Sequence, residues 1–78
     1  MSELVYITTE DCHLCEHSRG VLDELGVVRR EIADSSDQAA ALAASGIALS
    51  FMPVLTDGER VIAYGRFSTN RLRKELAL

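Results

Sequence analysis

Leu4, Val5, Tyr6 and Ile7 form a continuous apolar run of strand formers, the pattern of a strand covered on both faces at the centre of a sheet. A short polar connection over residues 8–11 follows. Over residues 13–25, Leu14, Val21, Leu22 and Leu25 fall on one helical stripe with Ser18 on the same face, and Gly26 stands where a C-terminal cap belongs. Residues 27–32 then alternate, Val28, Arg30 and Ile32 against Val27, Arg29 and Glu31, which predicts an edge strand with one wet face. Ser35 with Gln38 resembles a capping box opening an alanine-rich helix that Gly46 closes. The alanines reflect helix propensity rather than any function.

Past Gly46 the pattern changes. Residues 47–52 make an apolar connection into Pro53, the single proline, and Val54, Leu55 and Thr56 then lead to Asp57-Gly58 and a second strand-like run over 60–64. An Asp-Gly between two such runs predicts a hairpin. Phe67, Ser68 and Leu72 fit a hydrophobic staple around an N-cap, so a final helix should turn Leu72 and Leu76 to the core. The right-handed crossover rule makes the first strand, first helix and second strand a parallel unit. The predicted order is β-α-β-α-β-β-α, an α/β class without repeats or linkers. At 78 residues, one domain over 1–78 is all the chain allows.

Composition narrows the partners. An apolar content of 47% argues for a folded globule. Eight Lys and Arg against twelve acids leave a net charge of −4, so nucleic acid is not an expected partner. Arg71, Arg73 and Lys74 cluster near the C-terminus, where cations complement the negative end of a helix. No stretch reaches the roughly 20 apolar residues of a membrane span, and Glu3 and strand formers stand where a secretory signal would place a basic region and an apolar core. The expectation is a cytoplasmic monomer with no membrane partner.

The candidate chemistry lies in Cys12-His13-Leu14-Cys15, which holds both cysteines of the chain. Cysteines three apart close almost no loop, which makes them a poor structural staple. In a reducing compartment such a pair is more often catalytic or metal-binding. Its place between first strand and first helix puts Cys12 at a helix N-terminus, where the dipole and free N–H groups favour a thiolate. The dipole contributes roughly 0.3 to 1 kcal/mol, so it lowers the thiol pKa by no more than about one unit. Glu10 and Asp11 oppose that effect, and His13, when protonated, would add to it. A moderately activated thiol is expected. His17 reads as a solvent-facing helix residue.

The Cys-x-x-Cys, the proline heading the third strand, the Asp-Gly hairpin and the closing helix together resemble the glutaredoxin-like members of the thioredoxin fold over nearly the whole chain. The resemblance implies a four-stranded mixed sheet with helices on both faces, and thiol-disulfide oxidoreductase activity. It implies Cys12 as the attacking nucleophile and Cys15 as the resolving thiol. Pro53 would be the family's cis-proline, facing the cysteines, and Met52 would offer its backbone to an extended substrate; His13 and Leu14 complete the implied substrate-binding set. Substrates would be protein or low-molecular-weight disulfides, with the Cys12–Cys15 dithiol regenerated by an unidentified reductant and no cofactor.

Glutathione as co-substrate is disfavoured by the departures from the family pattern. Glutathione-using members carry Pro-Tyr between the cysteines, a basic residue before them, Thr-Val before the cis-proline and Gly-Gly after the fourth strand. This chain has His13-Leu14, the acids Glu10 and Asp11, Phe51-Met52, and Ala63-Tyr64-Gly65 with Arg66. The acids would repel the glutathione carboxylates, and Tyr64 would crowd the groove; Arg66 and Arg19, the candidate replacement carboxylate partners, read rather as solvated surface charges. Two other readings stay open. Small copper or zinc carriers also place a Cys-x-x-Cys between strand and helix, but they favour a methionine where Glu10 stands, and a closed zinc site wants four ligands. A non-catalytic interaction domain would keep the cysteines as small core residues.

Overall fold

The computed structural model describes residues 3–78. Its elements run β1 (Val5–Thr8), α1 (His13–Glu24), β2 (Arg30–Ala33), α2 (Asp37–Ala44), β3 (Val54–Thr56), β4 (Val61–Tyr64) and α3 (Thr69–Glu75). The sheet order is β2-β1-β3-β4. β1 lies parallel to β2, with Ile7 opposite Ile32, and antiparallel to β3, with Ile7 opposite Val54; β3 and β4 form the hairpin. This is the predicted β-α-β-α-β-β-α order on a four-stranded mixed sheet, a thioredoxin-like fold.

Strand alternation explains the layers. Neighbouring residues on a strand point to opposite faces, and the core accordingly divides in two. Tyr6 and Leu55 pack with Val21 and Leu22 of α1, Phe67 and Leu72 of α3. Ile7 and Val54 pack with Ala39 of α2 and with Ile47. Helices therefore cover both faces. The fully buried Tyr6, Ile7, Val54 and Leu55 make β1 and β3 the sheet centre, as the apolar run predicts for β1.

Several local expectations need correction. Val27 is tied to the end of α1, its N–H donating to the Leu22 carbonyl at 2.9 Å, so it cannot join a ladder and β2 begins at Arg30 instead. Val28 is left 89% exposed. The cap of α2 is Ser36, whose Oγ accepts from the Ala39 N–H at 3.2 Å, not Ser35. β2 runs on to Ala33, and that carbonyl takes both the Ser36 N–H and its hydroxyl, which fixes Ser36 at the cap position. Leu14 is 42% exposed and Cys15 occupies the inner stripe beside Ser18.

The C-terminal features match the expectation closely. Ser68 caps α3, accepting from the Arg71 N–H, while Phe67 and Leu72 are both buried in the same cluster, as the staple requires. The hairpin is longer than two residues, with Thr56 opposite Val61. Asp57 Oδ1 accepts from the N–H groups of Glu59 and Arg60, and those two donors hold its carboxyl below the usual range.

Candidate functional site

Cys12 is the N-cap of α1, and its Sγ accepts from the Cys15 N–H at 3.0 Å. One of the orphan donors of the helix end thus points at sulfur rather than at water. The turn before it is tight: Asp11 sits in the left-handed region at φ 52°, a conformation that aspartate tolerates better than most residues. Cys12 and Cys15 are joined as a disulfide, their Cα atoms 5.1 Å apart, inside the range that a bridge spans without backbone movement. The two sulfurs are not equivalent. Cys15 is 2% exposed, whereas Cys12 is only partly buried.

His13 and Leu14, the first two residues of α1, both face outward. Glu10, Asp11 and Glu16 are exposed around the same helix end, and their negative charge opposes that of a thiolate there. Met52 and Pro53 are joined by a cis peptide bond, with Pro53 buried at the head of β3. Since Ile7 pairs with Val54, Pro53 lies beyond the last β1–β3 pair, at the sheet end where β1 runs out into the loop to Cys12. Topology therefore brings the cysteine segment and the Met52-Pro53 segment to one end of the sheet.

A hydrogen-bond chain braces that end. The Gly65 N–H donates to the Pro53 carbonyl at 2.9 Å, and the Gly65 carbonyl accepts from the Ser18 hydroxyl at 3.1 Å. Ser18 Oγ in turn accepts from the Phe67 N–H at 3.2 Å. One fully buried serine thus clamps the segment after β4 onto α1, one turn beyond Cys15. A second brace comes from below: the Tyr6 hydroxyl donates to the Cys15 carbonyl at 2.6 Å. The helical stripe of α1 includes Ser18 but assigns it no task. The signal was present, because a hydroxyl on an otherwise apolar stripe must find partners.

Burial of Tyr6 pushes its hydroxyl up to about 12. Both folded and unfolded chains keep this proton below pH 10, but above it the unfolded tyrosine ionises first. Stability is therefore complete below about pH 10 and falls on the order of 2 kcal/mol as pH rises to about 12. Urea midpoints at pH 9 and 11.5 should show that fall in the native sequence and a much smaller one in Tyr6→Phe. An equal fall in both would rule Tyr6 out as its source.

Among the described residues, no group of three or more His, Cys, Asp and Glu is placed to hold a metal ion, and no helix is long and apolar enough to cross a membrane. The site offers two sulfurs three residues apart, one accessible, at a braced helix end. That arrangement is consistent with redox chemistry in general. No protein-family model matches the chain, and no curated protein matches it.

Proposed function

We propose that the protein is a glutaredoxin-like thiol-disulfide oxidoreductase in which Cys12 attacks and Cys15 resolves. The observation that carries this reading is the asymmetry of the pair: Cys12 caps α1 and receives the Cys15 N–H, while Cys15 is sealed beneath it. The same N–H and helix end stabilise negative charge on Cys12 sulfur in the reduced protein.

The cycle balances without a cofactor. Cys12 thiolate attacks one sulfur of a substrate disulfide; that S–S bond breaks, and the second substrate sulfur leaves as a thiolate that takes up a proton. Cys15, deprotonated, then attacks Cys12 Sγ, releasing the first substrate thiol and closing the Cys12–Cys15 disulfide. Two electrons pass from the dithiol to the substrate. An external thiol reductant restores the dithiol by the reverse exchange, at a rate favoured by an attacking thiol whose pKa lies near ambient pH. Met52, Pro53, His13 and Leu14, at the same end of the fold, would form the substrate platform. A single domain working as a cytoplasmic monomer is the setting we propose.

Reduced protein mixed with 2-hydroxyethyl disulfide or insulin, under a chemical reductant, should turn over many equivalents. Copper(I) or zinc titrated into reduced protein should bind weakly by comparison. Tight metal binding with no disulfide turnover would instead favour a carrier.

A further inference from the structure

A second surface adjoins the site. β4 is the outer strand of the sheet, and a groove of about 670 Å³ runs along it, between the residues leading into Pro53 and α3. Consecutive residues of β4 line the groove, so the edge is accessible, and an edge strand presents unpaired N–H and C=O groups to an added strand. At the end nearest Pro53 stand Phe51 and Tyr64, 66% and 62% exposed, with ring centroids 5.9 Å apart. Two large aromatics left in water side by side mark a contact surface.

The charge of the groove is opposite to that of the chain. Arg60, Arg66 and Arg71 line it against the single carboxylate of Glu75, in a protein whose net charge is −4. Glu75 is engaged by Arg60 at 3.6 Å, and among the described residues Arg66 and Arg71 make no salt bridge. Helix-end complementarity accounts for Arg73 and Lys74 in the last turn of α3, but not for Arg71, which lies in the first turn beside the cap. That corrects the expectation for this residue and leaves its charge unexplained by the helix.

We infer that the β4 edge docks an extended acidic segment of the disulfide-bearing substrate, pairing with β4 and engaging Arg66 and Arg71 while Phe51 and Tyr64 receive its apolar side chains. This rests on the redox reading, and it names the substrate class. The groove is continuous with the site, because Tyr64 precedes Gly65, whose N–H is held by the Pro53 carbonyl. A second copy of the chain fits less well: a two-fold β4–β4 pairing would set one arginine group against the other.

The test uses reduced protein and three disulfide peptides of one extended sequence, flanked by glutamates, glutamines or lysines, with 2-hydroxyethyl disulfide as an uncharged small substrate. At low salt the glutamate peptide should react about tenfold faster than the glutamine peptide, and the lysine peptide slower than both. That ratio should shrink severalfold at 0.5 M salt and fall below one in R66E/R71E. Turnover of 2-hydroxyethyl disulfide with equal rates on all three peptides would overturn the docking surface alone. No turnover of any substrate would overturn the redox reading and this inference together. Concentration-dependent dimers in ultracentrifugation whose formation slows the glutamate peptide but not 2-hydroxyethyl disulfide would assign the edge to a second copy and overturn it as well.

Discussion

Cys12→Ser should abolish catalytic disulfide reduction, by roughly a thousandfold or more, the loss typical when a covalent nucleophile is removed. The expectation follows from access. Cys15 is 2% exposed, on the buried face of α1 with its carbonyl held by the Tyr6 hydroxyl, so it cannot take over attack on a protein disulfide. The serine should fold, because a serine oxygen is itself a good N-cap and can accept the Cys15 N–H that sulfur now accepts. Reduction of 2-hydroxyethyl disulfide, followed by absorbance with a coupled reductant, is the measurement. A variant that is folded by circular dichroism and retains turnover would remove Cys12 from the role of nucleophile.

The second large effect concerns Ser18. Its hydroxyl satisfies the Gly65 carbonyl and the Phe67 N–H at once. Ser18→Val leaves both without a side-chain partner and adds bulk to a site with no exposure. Stranding the buried Phe67 N–H costs about 1 to 3 kcal/mol, the part-buried Gly65 carbonyl adds little because water can reach it, and overpacking adds about 1 or more. A loss of about 3 kcal/mol is expected, a large share of the roughly 4 to 12 kcal/mol available to 78 residues. Urea unfolding reads it directly. Ser18→Ala, which strands the same groups without the bulk, should lose about 1 to 3 kcal/mol. If both variants unfold at the native midpoint, the clamp contributes nothing.

The features legible in the sequence were those fixed by a short stretch of chain. The fully apolar run at β1, the helical stripe of α1 from Ser18 to its closing glycine, and the Phe67-Ser68-Leu72 staple each carry their cause within a turn or two of themselves. The Cys-x-x-Cys at a helix start was legible for the same reason.

What was missed depends on partners far away in sequence. Ser35 and Ser36 are equally good caps by type, and only the length of the β1–β2 ladder, ending at Ala33, chooses between them. The alternation over residues 27–32 looked like one strand because nothing local shows that Val27 is held by the helix before it. Ser18 joins α1 to residues nearly fifty positions on, a relation that no periodicity contains. The arginines of the β4 groove lie apart in sequence and meet only when α3 packs beside the hairpin.

The most direct measurement is the adduct formed by Cys15→Ser. Without its resolving thiol, the reduced variant should stop after one attack and hold the substrate as a mixed disulfide, at one equivalent per chain. Peptide mass spectrometry should place that adduct on Cys12. A variant that forms no adduct with a disulfide substrate, while remaining folded and reduced, would contradict an attacking sulfur at the head of α1.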